Sequence, residues 1–95
     1  MEEKKMTAEQ TLAKIESETK LAAWRAAERM NQQAKDGDME RNHVNSGCLI
    51  EALHVMRLMG HETNGAVWDN DGYSICEFVE IDGKKIYTRS TAKEA

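Results

Sequence analysis

Apolar residues recur with a helical period through the first third of the chain. A rotation of ~100° per residue places the small and apolar side chains between residues 8 and 34 in one stripe about 140° wide. Thr7 and Gln10 form a T-x-x-Q capping box before this stripe, and Gly37 offers the left-handed conformation that ends helices. The pattern therefore predicts one long helix over residues 8–35.

Two large side chains break this stripe. Leu21 and Trp24 lie three residues apart on the polar side of the predicted helix and are therefore neighbours. An indole ring left in water is unfavourable, so Trp24 is either covered by the rest of the fold or exposed as an anchor for a partner. The sequence leaves both interpretations open.

A second helix is predicted over residues 39–59, with Asp38 as its N-cap and Gly60 at its end. From Cys48 onward the segment is apolar on nearly all sides, which is typical of a buried helix. Polar residues and Gly47 weaken its first half. One helix distorted near Gly47 is favoured over the alternative, in which residues 39–47 form a loose turn.

Short apolar segments separated by turn residues follow, and they predict strands near residues 66–68, 73–81 and 84–90. Asp82-Gly83 indicates a two-residue hairpin. The expected pairs across it are Glu80 with Lys85, Val79 with Ile86, and Phe78 with Tyr87. The predicted fold class is α+β: an antiparallel helical hairpin (8–35 and 39–59) followed by a three-stranded antiparallel β-meander (66–90).

Alternation along these strands gives the sheet two faces. The core face is expected to hold Ile75, Val79, Ile81 and Ile86. The other face would hold Cys76, Phe78, Glu80, Lys85, Tyr87 and Arg89. Because the helices of so small a chain cover one face of the sheet, the second face is either solvated or bound to something else.

Composition indicates a single small domain of 95 residues, with residues 1–6 and 91–95 as frayed tails. The chain carries 13 basic and 17 acidic residues, for a net charge of −4. No apolar window approaches the ~18 residues of a membrane span, and no signal segment opens the chain, so we expect a cytoplasmic protein without membrane contact. Cys48 and Cys76 are expected to be reduced, buried thiols.

Motifs for catalysis or metal binding are not found. The histidines and cysteines lack the paired spacings of zinc sites. Residues 69–72 suggest a β-turn, since alignment with a calcium loop puts Val67 and Phe78 at ligand positions. No nucleophile elbow, phosphate-binding loop or dinucleotide fingerprint occurs. The chain is therefore expected to be no enzyme and to use no cofactor or metal.

The length of the first helix suggests self-association. A helix of 28 residues is ~42 Å long, whereas a compact chain of this size has a radius of gyration near ~12 Å and a diameter of roughly 32 Å. The helix should extend beyond its own domain, and its alanine-rich stripe permits close approach of another helix. A homodimer through the first helix is therefore expected.

The leading hypothesis is a small, acidic, non-catalytic interaction or inhibitor protein that binds another protein. Size, acidity and absent catalytic motifs are of the kind seen in small phage-borne or mobile-element accessory proteins. The expected anchors are Leu21, Trp24, Phe78 and Tyr87, with Arg89, Glu77 and Glu80 as rim charges. A further interpretation is that the sheet's acidic surface imitates nucleic acid and occupies a basic groove on its target.

The alternative function is a nucleic-acid-binding accessory protein. It would stack bases on the sheet aromatics and hold phosphates with Lys84, Lys85 and Arg89. The aromatic residues concerned are Tyr73, Phe78 and Tyr87. Acidic neighbours on the same strands weigh against this alternative because they repel phosphates.

Overall fold

The computed structural model describes residues 7–89 and consists of a helical hairpin followed by a meander. The helices are α1 (Ala8–Asp36) and α2 (Met39–Leu58). The strands are β1 (Thr63–Asn70), β2 (Tyr73–Ile81) and β3 (Lys84–Thr88), which form one antiparallel sheet in the order β1-β2-β3. The predicted α+β class is confirmed, while the predicted tails lie outside the described residues.

The capping residues explain where both helices begin and end. The Thr7 hydroxyl accepts from the Gln10 amide, and the Gln10 side chain accepts from the Thr7 amide, which completes the predicted capping box. Gly37 takes a φ of +75° at the end of α1, and Asp38 caps α2 by accepting from the Arg41 amide. Residues 39–47 are therefore helical, and the alternative of a loose turn is wrong.

The expectation that α2 is buried on nearly all sides is wrong. Its buried residues form one stripe, made of Asn42, Leu49, Ala52, Leu53 and Met56. On its other sides Val44, Ile50 and Leu58 are 60%, 62% and 73% exposed, and Cys48 is an exposed free thiol rather than a buried one. The cause is that α1 and the sheet contact only part of the surface of α2.

Two Asp-Gly pairs make the turns of the meander. Asp71 and Gly72 join β1 to β2, and Asp82 and Gly83 join β2 to β3, all with positive φ. Two-residue hairpins of type I′ need positive φ at both positions, which Asp and Gly tolerate better than most residues. The predicted hairpin at Asp82-Gly83 is confirmed. Strand β1 begins at Thr63, whereas the first strand was predicted near residues 66–68.

Two β-bulges change the predicted register. Glu80 pairs with Lys85 as expected, but Val79 pairs with Tyr87, so Ile86 is an extra residue in β3. In β2 Glu77 is extra in the same way, between the partners of Ala66 and Val67. The predicted pairs of Val79 with Ile86 and of Phe78 with Tyr87 are therefore wrong. Each bulge reverses the alternation of side chains beyond it.

The bulges place Cys76 and Tyr87 on the inner face, against the prediction that both lie outside. Cys76 is fully buried and Tyr87 is 5% exposed. The core that results joins both helices and the sheet. It consists of Ala23, Ala26, Ala27, Met30, Leu49, Ala52, Leu53, Cys76, Val79 and Tyr87. Alanines on α1 keep the two helices close together, and larger residues fill the space toward the sheet.

Two asparagines join the helices to β2 by side-chain to backbone hydrogen bonds. Asn42 on α2 donates to the Met30 and Ser74 carbonyls at 2.7 and 2.9 Å and accepts from the Ser74 amide at 2.8 Å. Asn31 on α1 donates to the Cys76 carbonyl and accepts from the Cys76 amide, both at 2.8 Å. Each carboxamide thus bonds a strand residue as the backbone of a neighbouring strand would.

The described chain is elongated, with extents of 53 × 31 × 25 Å and a radius of gyration of 15.2 Å. A compact chain of this length would have a radius near ~12 Å. Helix α1 has 29 residues against 20 in α2, so its N-terminal end extends past the end of α2. Near that end Leu12 and Ile15 are 54% and 43% exposed. The elongation agrees with the predicted overhang of the first helix.

Candidate protein-binding surfaces

Leu21 and Trp24 form an exposed patch on α1, here called the Leu21–Trp24 patch. Leu21 is 45% exposed and Trp24 is 37% exposed. The Trp24 ring meets the Tyr87 ring nearly edge-on, with the centroids 6.4 Å apart and the planes at 74°. One side of the indole is therefore held by the fold while the rest faces solvent, which combines the two interpretations that the sequence leaves open.

Tyr87, a predicted anchor, lies behind this patch rather than on the surface. Its hydroxyl accepts a hydrogen bond of 2.8 Å from the Asn31 side chain. Burial raises the pKa of the phenol above its ordinary value, and the bond from Asn31 opposes this shift. The bulge at Ile86 turns Tyr87 inward, so its role is to support Trp24 and not to contact a partner.

A second exposed indole lies on the sheet within what we call the Trp68 cluster: Trp68, Glu77 and Arg89. Trp68 is 40% exposed, and its indole N–H donates to the Glu77 carboxylate at 3.2 Å. The same carboxylate oxygen accepts from Arg89 at 2.5 Å, and the Arg89 guanidinium lies 5.5 Å from the centre of the Trp68 ring. These contacts fix the orientation of the ring.

Sequence reasoning selected Glu77 and Arg89 as rim charges but missed Trp68, the side chain around which they meet. The available signal was a tryptophan in a short strand at the edge of the sheet. Such a strand has a neighbour on one side only, so its large side chains have fewer partners to cover them.

Phe78 and Glu80 lie on the outer face of the sheet because they alternate with the buried Val79 and Ile81. Phe78 is half-buried, and the Lys85 ammonium lies 5.1 Å from the centre of its ring. The predicted anchors therefore do not form one surface. Leu21 and Trp24 belong to the helix layer, Phe78 and Glu80 lie on the outer sheet face, Glu77 and Arg89 belong to the Trp68 cluster, and Tyr87 is inside.

The helix layer has a further apolar surface on the side away from the sheet. An open groove of about 420 Å³ runs between the two helices there. Its lining, which we call the helix groove, consists of Ile15, Glu18, Thr19, Ala22, Cys48, Glu51, Ala52 and Val55. From the sequence, the apolar residues of this groove were either predicted to lie in the core or were not chosen as candidate binding residues.

His61 bridges the N-terminal half of α1 and the β2–β3 turn. One ring nitrogen bonds the Asp82 carboxylate at 2.6 Å and the other bonds Glu16 at 2.5 Å. These two hydrogen bonds raise the pKa of His61, and the bond from His61 lowers the pKa of Asp82. Because both nitrogens are engaged, the imidazole has no free position at which to act as a general base.

A pocket of about 300 Å³ lies between the end of α1 and the sheet. It is lined by Asn31, Ala34, Lys35, Asn70, Ile75, Tyr87 and Arg89, without a carboxylate, thiol, aliphatic hydroxyl or imidazole. Across residues 7–89, no group of three or more His, Cys, Asp and Glu side chains is arranged to hold a metal ion. Neither helix in this part of the chain has an apolar stretch long enough to cross a membrane.

Comparison with known proteins gives no relative. No protein-family model matches the sequence, and no curated protein and no solved structure is significantly similar to it. The surfaces of the chain are therefore what bears on its function.

Proposed function

We propose that this protein is a non-catalytic interaction protein that acts by binding another protein, and that it does so as a homodimer. The observation that carries the proposal is that both tryptophans are more than a third exposed and each is held in place by specific neighbours. Tryptophan is enriched at the energetic centres of protein interfaces. A ring that is already fixed loses little conformational entropy when it binds.

The two indoles suit different contacts. Trp24 has an aliphatic neighbour, Leu21, and no charge in its ring contact, so it fits an apolar pocket on a partner. Trp68 is surrounded by an ion pair and fits the polar rim of an interface. We therefore assign the main anchoring role to the Leu21–Trp24 patch, and an orienting role to the sheet charges Glu77, Glu80 and Arg89.

A protein partner is favoured over nucleic acid by the surroundings of the sheet aromatics. Tyr87 is buried and not available to stack a base, and the face that carries Phe78 also carries Glu80. The inhibitor role and the phage-like character expected from the sequence remain parts of this proposal.

The test is affinity purification from the native host, with mass-spectrometric identification of the proteins that co-purify. Wild type is compared with Trp24→Ala and with Leu21→Asp, which alters the exposed patch without removing a core side chain. His54→Ala is the matched control, since His54 is an exposed residue of α2. We expect a protein that wild type and control recover and that both patch variants lose.

With the recovered protein purified, Leu21→Asp should weaken binding by about 30-fold, since loss of a central anchor costs ~2 kcal/mol or more. Far-ultraviolet circular dichroism checks that each variant is folded. Recovery of the same protein at undiminished yield by both patch variants would contradict the anchoring role. Failure to recover any specific protein with the wild type would contradict the proposal as a whole.

A further inference from the structure

The outer side of the helix layer has the spacing of a helix-packing seam. On α2 the residues Val44, Cys48, Glu51, Val55 and Leu58 follow one another at intervals of four and three. On α1 the residues Ile15, Glu18, Ala22, Arg25 and Arg29 follow at intervals of three and four. Alternating intervals of three and four keep side chains on the line along which one helix packs on another. Within residues 7–89 no element covers this side.

We propose that a second copy of this chain packs on this side, so that α1 of each copy lies along α2 of the other in a four-helix bundle. The inference deepens the homodimer part of the proposed function and rests on it. It names the face and the orientation of the two copies, and it uses none of the residues assigned to the protein partner.

Contacts within one chain show which residues of α1 and α2 lie at the same height along the helix axes. Asn42 on α2 bonds the Met30 carbonyl on α1, and Ala52 lines the helix groove together with Ala22. Because the helices are antiparallel, Leu58, six residues beyond Ala52, is level with the turn of α1 that contains Ile15. By the same reasoning Glu51 is level with the turn between Ala22 and Arg25.

Two helix pairs related by a two-fold axis can stack in two ways, with α2 on α2 or with α1 on α2. The charged residues favour the second way. If α2 packs on α2 of the other copy, Glu51 lies beside its own counterpart near the axis, and like charges oppose each other. If α1 packs on α2 instead, Glu51 faces Arg25 of the second copy, and symmetry repeats the pair. Arg25 and Glu51 are both exposed in the single chain, so both are available for this contact.

The apolar residues of the overhang fit the same arrangement. Both N-terminal ends of α1 then extend from one end of the bundle, side by side. Leu12, Ile15 and Leu58, which are 54%, 43% and 73% exposed, would meet their counterparts over the ends of the two α2 helices. The arrangement thus accounts for exposed leucines at the end where α1 has no neighbour of its own.

The available area is sufficient for a stable dimer. Two helices ~10 Å apart and about 30 Å long present roughly 600 Å² in projection, and the overhang adds to this. A standard interface buries about 800 Å² per partner. An interface of about 800 Å² would cover about an eighth of the 6717 Å² accessible surface of the described chain.

The first experiment measures molar mass by light scattering at about 100 µM. The wild type should show twice the chain mass of 10.8 kDa. Arg25→Glu and Glu51→Arg should each weaken dimerisation at least tenfold, while the double variant, which exchanges the charges, should restore it. Asp69→Arg, an equal charge change on the sheet, is the control and should leave the dimer intact. A monomeric wild type, or a double variant no better than the single ones, would overturn the proposal.

The second experiment tests the orientation. In a Cys48→Ser background, Leu12→Cys places one reactive thiol on each overhang, since Cys76 is buried. A short bis-maleimide should cross-link the two chains in the proposed arrangement, in which the overhangs are neighbours. With α2 packed on α2, the two thiols would lie at opposite ends, more than ~30 Å apart. A dimer that does not cross-link would overturn the proposed orientation.

The two proposals fail separately. Glu51→Arg leaves the Leu21–Trp24 patch and the Trp68 cluster untouched, so a monomeric Glu51→Arg variant should still bind the recovered protein partner. If the wild type is monomeric but the Leu21→Asp effect is found, the dimer is overturned and the anchoring role stands. If the dimer forms as described but the patch variants bind normally, the opposite conclusion holds.

Discussion

At the scale of single residues, Asn42 is a polar side chain whose hydrogen bonds all lie inside the fold. It is fully buried and makes three hydrogen bonds to main-chain atoms of Met30 and Ser74. Asn42→Ala would leave these backbone groups without partners in the core. We expect a loss of about 3 kcal/mol in the free energy of unfolding, measured by urea denaturation.

Asn45→Ala is the matched control for Asn42. Asn45 lies one turn further along α2 and bonds the Gln33 side chain and the Arg41 carbonyl from a half-buried position. Its loss should cost less than about 1 kcal/mol, because water replaces exposed partners. Equal losses in the two variants would contradict the role given to Asn42.

The two cysteines should differ sharply in reactivity. Burial raises the pKa of the Cys76 thiol to about 11, whereas Cys48 is exposed. The thiolate is the reactive form, and a reagent must also reach the sulfur. With Ellman's reagent at pH 8, the monomeric Glu51→Arg variant, whose helix seam is uncovered, should react at one thiol per chain within minutes and at the second only after denaturant is added. Addition of Cys48→Ser to that variant should abolish the fast phase, and a fast phase that persists would contradict the burial of Cys76.

Single residues also show where sequence reasoning succeeds and fails. Trp24 was identified because the helical period assigns each side chain to a face of the helix. An indole on the polar face is therefore evident from the sequence. Asn31 and Asn42 were not identified as structural, because nothing in a sequence distinguishes an asparagine that bonds a strand from one that bonds water. Their partners lie more than thirty residues away along the chain, in β2.

At the scale of elements, two glycines with open surroundings should respond in opposite ways to the same change. Gly83 has a φ of +81° in the β2–β3 turn, while Gly47 lies inside α2, and a Cβ at either would meet nothing within 4 Å. Gly83→Ala forces an L-residue into the left-handed region and should destabilise by about 1 kcal/mol. Gly47→Ala should stabilise by about 0.5–1 kcal/mol, because alanine favours the helical state.

Thermal unfolding followed by circular dichroism checks both glycine variants in one series. For a domain of this size a change of 1 kcal/mol corresponds to about 4–8 °C in Tm. A gain from Gly83→Ala would contradict the type I′ geometry of the turn, and a loss from Gly47→Ala would show that α2 is not regular around that position.

Helices and hairpins were predictable because each has a local signal, but the strand faces were not. Residues 75–81 contain adjacent apolar pairs, Ile75-Cys76 and Phe78-Val79, and β3 contains Ile86-Tyr87. Strict alternation would put Cys76 and Val79 on opposite faces of the sheet. The bulge at Glu77 lets both lie inside, and the bulge at Ile86 turns Tyr87 inward as well. Adjacent apolar pairs in a short strand were the available signal, and reading them as simple alternation put Tyr87 on the wrong face.

The contact that ties the overhang of α1 to the sheet should make stability depend on pH. Hydrogen bonds to Asp82 and Glu16 raise the pKa of His61 above 6.5 in the folded protein. A raised pKa means that the folded state holds the proton more tightly than the unfolded state. The stabilisation is therefore fully present below about pH 6.5 and is lost as the pH rises through the higher, folded pKa of His61.

Urea unfolding at pH 6.0 and pH 8.5 checks this sign. The wild type should be more stable at the lower pH, whereas His61→Gln should show a smaller difference between the two values. His54→Gln, at an exposed position on α2, serves as the control and should behave like the wild type. If the stability of the wild type changes between pH 6.0 and 8.5 by the same amount as that of His61→Gln, the role given to the His61 bridge is contradicted.

At the scale of the whole molecule, the shape and the exposed apolar side chains have one explanation if the chain does not work alone. The sheet and α1 together bury only one stripe of α2, and α1 extends past both. Large apolar side chains remain exposed on the outer helix side and around the two tryptophans. The two proposals use separate sides of the fold: the helix layer for a second copy and the patch beside Tyr87 for a protein partner.

Dimerisation through the helix layer makes stability depend on protein concentration. When two copies fold and associate together, mass action favours the native dimer as concentration rises. A hundredfold increase, from about 2 µM to 200 µM, adds ~2.7 kcal/mol per dimer through RT ln 100. The urea midpoint of the wild type should therefore rise over this range, while that of Glu51→Arg should stay constant. A constant midpoint for the wild type, with the low-concentration sample already shown to be folded, would mean that each copy is stable alone and that the outer helix side serves another partner.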